Sequence, residues 1–248
     1  ATTEIYTLTQ HDALPILIAN GGNGIVTQDG RAHLDDPQVK EAVIKALTYV
    51  TTAFKEGYVP PGALSWNDAD DNNAFHAKQI VMDLDGTIST ELAMIHEKDD
   101  YDSITTLGLP LDNSGKPVPA QVQVDGAFIP KGAKNEDVAK DFLKYVLQPK
   151  VSNEYLKAGL GRWVPVLPEL LKSDPFWLDP KDSHRLAYVN EALVSPTVVS
   201  YVGFNPGYAE VNAQQIWGVA EADIIREGMT PAAATEKALK SIGSILAK

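Results

Sequence analysis

The chain has 248 residues, 44% apolar and 22% charged, so it can bury a core and is not a disordered polymer. Its 33 acidic side chains exceed 21 basic ones, giving a net charge of -12, which argues against phosphate-backbone binding, since that needs a basic face. With no cysteine, disulfides, thiolate metal sites and cysteine nucleophiles are excluded too, and no apolar run reaches the ~18 residues a membrane helix needs.

The first residues stand apart. Thr7–Ile16 read TLTQHDALPI and match eight of ten positions in TLSLHDALPI, the translated end of a common sequencing adapter. Residues 1–16 are therefore expected to be non-native, with the natural protein continuing upstream of Leu17. No basic-then-apolar leader opens the chain, so an exported protein would have its true start elsewhere.

From Leu17 to Leu34 the chain is rich in Gly, Asn and Asp and reads as loops, with a short hairpin at Gln28-Asp29-Gly30. A helix follows. Asp35 or Asp36 caps it, Pro37 takes its first position, and Val39, Val43, Ala46, Val50 and Ala53 recur at helical spacing. Leu47 and Phe54 widen that stripe, and Gly57 with Pro60-Pro61 ends it. The polar run Trp66–Asn73 leads into a helical piece at 74–77. Three strands are expected, at Gln79–Leu84, Ser103–Leu109 and Gln121–Ile129, with the polar loop Leu111–Pro119 before the last. Gly126 inside the third strand suggests a bulge or a close backbone approach.

The rest reads as helical. Asn135 caps a helix carrying Val138, Ala139, Phe142, Leu143 and Val146 on one face. Pro149 starts another that Gly159 ends. Gly159–Val166 is an extended link, Leu167–Leu171 a helical turn, and Asp174–Pro180 an aromatic loop. Further helices are expected at 184–194, 207–227 and 231–246, the last capped by Thr230. The class is α/β with a helical excess.

Ile80–Thr87, IVMDLDGT, fits the strand and DxDGT of haloacid-dehalogenase-like phosphatases, in which the first Asp is the nucleophile and the second the acid/base, with Mg²⁺ screening the charge. Asp83 and Asp85 would take those roles. The later acidic cluster that such an enzyme needs has no good counterpart: Asp99-Asp100 comes too soon. The bland alternative has Asp83 and Asp85 on the solvent face while Val81, Met82 and Leu84 pack. The five histidines form no pair at metal-ligand spacing, Asp68–Asn72 lacks the Gly and Glu of a calcium loop, and no GxSxG occurs. What remains is a set of aromatics beside polar residues in loops: Trp66, Trp163 after Arg162, and Tyr208 after Asn205. Aromatic rings cover the C–H faces of a sugar while Asp, Asn and Arg bond its hydroxyls. Trp177 and Trp217 are assigned to packing, and Phe176 and Tyr188 likewise.

From Gly24 to Lys248 the chain resembles the extracellular solute-binding proteins of the maltose-binding type. The stretches that carry this, in order, are FKEGYVPPG ending the first long helix, AFHAKQIVMDLDG, VDGAFIPKGAKN before AKDFLKY, and GMTPAAATEKAL near the end. Their order and spacing carry the likeness more than any single one.

The resemblance implies a periplasmic-binding-protein-like fold of type II, with two α/β lobes and a sugar held between them. Residues 17–116 and 172–248 would form the carboxyl-terminal lobe, and 117–171 a returning segment of a mostly absent amino-terminal lobe. It implies an extracytoplasmic sugar receptor, periplasmic or outside the cell, that delivers its ligand to the permease subunits of an ABC importer. It implies no catalytic residue, cofactor, metal, nucleic acid or membrane insertion, and a monomer. Ligand positions carried over are Trp66, Asn67, Asp68, Gly86, Thr87, Asp125, Gly126, Arg162, Trp163, Asn205 and Tyr208. The aromatic often found after the strand-ending glycine is absent, since Thr87-Ile88-Ser89 stand there, so the sugar stays open.

Overall fold

The computed structural model describes residues 16–67, 69–112, 114–122, 124 and 126–247. Of the adapter-like segment 1–16, all but Ile16 lies outside the described residues, as do the expected ligand positions Asp68 and Asp125. The chain forms two compact units. The first takes residues up to 85, then 110–122 and 196–248; the second takes 86–109 and 123–195. The expected lobes divided at 116/117 and 171/172, whereas the compact units divide at 85/86, 109/110, 122/123 and 195/196.

The first unit is organised around α1 (Pro37–Lys55). Its amino end is built as the sequence requires: the Asp36 carboxylate accepts from the Gln38 N–H at 2.7 Å, and Pro37 occupies the first turn. Gly57, at φ 81°, takes the left-handed conformation that closes the helix. The apolar stripe of α1 faces α11 (Ile216–Arg226) and α12 (Pro231–Leu246) and merges with Leu17, Ile25, Val26, Trp217, Leu239 and Ile242 in one core. The Thr230 hydroxyl caps α12 through the Ala233 N–H. The expected hairpin forms, with Val26 bridged antiparallel to Ala32 and Asp29 accepting from Thr27 and Arg31 around the turn. A smaller core of Val50, Val59 and Ala63 sits at the other end of α1. The helix expected at 207–227 is two, α10 (Tyr208–Ala213) and α11, broken at Gln215 with φ 48°.

Of the three expected strands, only Ala120–Val122 (β1) forms a ladder among the described residues. It pairs parallel with Thr197–Val199 (β2), in the register Ala120 to Thr197. Residues 80–84 and 104–109 are neither helical nor part of a ladder there, and the chain bends at Val81. The expectation that Val81 and Met82 pack is overturned: both are exposed. A strand exists only where a neighbour offers its backbone, which alternation of residue types does not guarantee.

The second unit holds α3 (Ser89–Ala93), α4 (Lys98–Ser103), α5 (Glu136–Val146), α6 (Pro149–Ala158), α7 (Pro168–Ser173) and α8 (Ser183–Val194). Here α2 (Asp70–His76), preceding them, belongs to the first unit, as does the short α9 (Tyr201–Phe204). The core of the second unit is Leu171, Trp177 and Val189, with Leu156, Val164 and Phe176 packed against it. A second, polar centre links Glu91, Thr106 and His184. The Thr106 hydroxyl meets a Glu91 carboxylate oxygen and His184 Nδ1, while His184 Nε2 faces the Tyr101 carbonyl oxygen.

Candidate ligand-binding site

A candidate cleft lies on the second unit, at the carboxyl end of α6. The helix ends at Ala158 because Gly159 follows, and the chain then reverses. The Gly161 N–H donates to the Leu156 carbonyl and the Leu160 N–H to the Lys157 carbonyl, with Leu160 at φ 59° and Gly161 at φ 82°. A glycine is required at 161. A Cβ there would stand 2.7 Å from Arg185 Cδ and 3.3 Å from a Trp177 ring carbon, in a backbone region that side chains resist. This reversal delivers Arg162 and Trp163 to the surface.

The turn is anchored from below. The buried Trp177 donates its indole N–H to Asn153 Oδ1 at 2.8 Å, and Asn153 Nδ2 donates to Asp174 Oδ2 at 2.7 Å. Lys157 Nζ reaches the same oxygen at 2.9 Å, and the Phe176 N–H donates to Asp174 Oδ1. These donors, the Phe176 amide foremost, hold the Asp174 carboxyl down at about 2, and its charge raises Lys157 in return. Arg185 donates to the Phe176 carbonyl, pairs with Asp182 at 2.6 Å, and lies 3.8 Å over the Phe176 ring. All four expected packing residues (Trp177, Trp217, Phe176 and Tyr188) are buried or half-buried.

On this base sits a shallow cleft of about 280 Å³ lined by Tyr155, Leu156, Ala158, Gly159 and Trp163. The Trp163 side chain is 49% exposed, and the Arg162 guanidinium lies 5.6 Å from its ring centre. Tyr155 is also exposed. Two aromatic side chains beside one cationic donor can cover an apolar face and bond a hydroxyl rim. Tyr155 was missed in the sequence because it sits in an amphipathic helix. Leu156 points to the core, and Tyr155, one residue earlier, is turned about 100° away from it.

The other expected positions are scattered. Trp66 is half-buried against the small core of the first unit, and the exposed Asn67 donates its backbone N–H to Asp70. Thr87 accepts from the Ser89 N–H and so starts α3. Gly86 and Gly126 are exposed, and among the described residues a Cβ at either would meet nothing within 4 Å, so of the bulge or close backbone approach expected at Gly126 no close approach is seen there. Two further positions are held by contacts within the fold. Tyr208 is a core side chain, 1% exposed, whose hydroxyl accepts from the Trp217 indole N–H at 3.0 Å. Burial pushes that hydroxyl's pKa up, and its ring stands edge-on to Tyr201. Asn205 donates to the Gly30 carbonyl and accepts from the Gly207 N–H, so its amide ties loops together at both ends.

Asp83 and Asp85 lie in a non-helical stretch that joins no ladder among the described residues, and Asp85 accepts from Asn72. Among the described residues, no group of three or more His, Asp or Glu is placed to hold a metal, and no helix is long and apolar enough to cross a membrane.

Comparison with known proteins gives a consistent answer. A family model described as bacterial extracellular solute-binding protein matches residues 8–183. No curated protein matches the chain. Solved structures do. A sugar transporter protein from Arthrobacter chlorophenolicus A6, with bound laminaribiose, superposes with a TM-score of 0.75 at 17% identity, covering 100% of this chain and 60% of that one. An ABC transporter solute-binding protein from Thermotoga lettingae TMO, bound to alpha-D-tagatose, gives 0.67 at 18% identity, covering 98% and 59%. The sugar-binding protein MalE from Xanthomonas citri gives 0.68 at 15% identity, covering 98% and 59%. This chain thus spans about 60% of the length of the structures it matches, and shares their type II periplasmic-binding fold over that span. Neither the family match nor these structures support the phosphatase reading. With its family model covering more than half of the sequence, the chain belongs to the bacterial extracellular solute-binding proteins.

Proposed function

We propose that this chain is part of an extracytoplasmic receptor that captures a sugar and hands it to the permease subunits of an ABC importer. It performs no chemistry and acts as a monomer in the periplasm or outside the cell. Family membership supports the receptor role, and the sugars in two of the matching structures support the ligand class. The observation that carries the reading is the cleft in which the half-exposed Trp163 and the exposed Tyr155 flank a floor of Leu156, Ala158 and Gly159, with Arg162 beside Trp163. Trp163 and Tyr155 would stack on the ring, and Arg162 would donate to hydroxyls. Trp66, Asn67, Asp68, Gly86, Thr87, Asp125 and Gly126 are further proposed contacts. Asn205 and Tyr208 support the fold around them.

The test is a titration with laminaribiose, tagatose and maltose at millimolar sugar, read by ligand-observed NMR, on the native chain and on Trp163→Ala. Loss of a stacked ring should weaken binding about tenfold, equivalent to about 1.4 kcal/mol. The melting temperature should hardly move, because the side chain is half in water already. Equal binding by the two proteins would remove Trp163 from the site.

A further inference from the structure

Several elements of the second unit meet around the side chain of His184, which is 3% exposed in the first turn of α8. Its Nδ1 stands 2.7 Å from the Thr106 hydroxyl, and its Nε2 stands 3.3 Å from the Tyr101 carbonyl oxygen. The same hydroxyl meets Oε1 of Glu91 on α3, whose side chain is 8% exposed. A carbonyl only accepts, so Nε2 carries a proton. The hydroxyl has one proton and two polar neighbours, so one of those neighbours must donate to it. If Glu91 is the donor, it is a carboxylic acid, and the hydroxyl donates on to Nδ1. If Nδ1 is the donor, the ring is an imidazolium and Glu91 a carboxylate. Both arrangements hold one proton more than a carboxylate beside a neutral imidazole, and that proton belongs to the pair. Glu91 Oε2 is buried with no hydrogen-bond partner among the described residues. That favours the acid, because a bare carboxylate oxygen costs more there than a carbonyl.

The other ionisable groups around this pair are engaged. The Tyr101 ring stands edge-on to His184 at 4.5 Å, and burial raises its hydroxyl above the usual range. Besides Glu91, the charges acting on Tyr101 are Asp182, Arg185 and Asp102. Asp182 pairs with Arg185, and Asp102 with Lys98. Further along α8, Glu191 accepts from the Ser195 hydroxyl. The segment 104–109 carries no ionisable side chain. We infer that Glu91, Thr106 and His184 form a proton-dependent lock on the first turn of α8. Arg185, the next residue, donates to the Phe176 carbonyl and lies against the Gly161 turn that presents Arg162 and Trp163. The lock therefore holds the base of the cleft. Opening it exposes Glu91 and His184 to water, where the pair gives up its shared proton above pH ~6.5. The open form then holds fewer protons than the closed one, so opening becomes easier as pH rises. The inference rests on the geometry of the second unit and not on the sugar reading.

The experiment compares the native 248-residue chain with Glu91→Gln, whose amide donates to Thr106 as the acid does but has no proton to lose. Between pH 7.5 and 8.5 the unfolding constant of the native chain, from urea melts, should rise about tenfold relative to that of the variant. At pH 8.5 amide hydrogen exchange at Gly161 should be several-fold faster in the native chain than in the variant, and the two should agree at pH 6. Parallel stability profiles, or equal exchange at Gly161 at pH 8.5, would overturn the inference. If the variant fails to fold, NMR of the native chain at pH 7.5 decides. Either the Glu91 carboxyl carbon shows the shift of an acid, or both ring nitrogens of His184 carry protons. A Glu91 carboxylate beside a neutral His184 ring would overturn the lock. None of these readouts involves sugar, so they separate from the Trp163 titration.

Discussion

Asp174 shows how one side chain holds a site it does not touch. It collects the Phe176 amide, Asn153 and Lys157, and through Asn153 it fixes the indole of Trp177, on which the Gly161 turn rests. Its carboxyl is held at about 2, below the 3.8 of an unperturbed aspartate. A depressed acid contributes stability that is fully present above the unfolded value and fades as pH falls through the folded one. The native chain should therefore lose this contribution between pH 3.8 and about 2. Asp174→Asn should be less stable at neutral pH by about 1–2 kcal/mol and show a flatter stability profile across that window. Denaturant melts at several pH values check both, and parallel profiles would show that the carboxylate's charge is idle. The same scale explains why Tyr208, which reads as an exposed ring, is buried, and why the Asn205 amide is engaged by two backbone groups. Residue type tells that an aromatic has a face and a polar tip, but not which way it points. Pro206-Gly207 turns the chain so that Tyr208 begins α10 facing Trp217 and Tyr201.

At the scale of elements, what was legible was local. The helix α1 could be bounded from Asp36, Pro37 and Gly57 because caps act within a turn, and its buried positions follow its period. Asp36→Ala should cost about 1 kcal/mol, measured by urea denaturation, with the native fold kept; no change would mean that the Gln38 amide finds another partner. The reversal after α6 is a second local device. Gly161→Ala places a Cβ against Arg185 and Trp177 at a φ of 82° and should cost about 2 kcal/mol. Its near-UV circular dichroism should change as Trp177 is displaced, and a chain of native stability would show that the turn has another conformation open to it. Strands were read poorly for a matching reason. Their hydrogen bonds go to residues far along the chain, so β1 met the unforeseen Thr197–Val199 while 80–84 and 104–109 met none among the described residues.

For the molecule as a whole, binding strength depends on how much of the receptor is present. A micromolar sugar site corresponds to about 8 kcal/mol, and a chain supplying half the contacts retains affinity near or above millimolar. Calorimetry on the 248-residue chain should show no micromolar binding of any of the three sugars; a micromolar heat would mean that the cleft at Trp163 is complete in itself.

The sequence by itself determined the helices with caps and a clear period, the core role of Trp177 and Trp217, and the family, since each is written in neighbouring residues or in the order of motifs over two hundred positions. Tertiary structure alone decided which extended segments became strands, that Tyr208 and Asn205 turn inward, and that Tyr155 joins Trp163 around one cleft. Those outcomes depend on residues distant in the chain meeting in space, and spacing along a single strand of text carries no record of the partner.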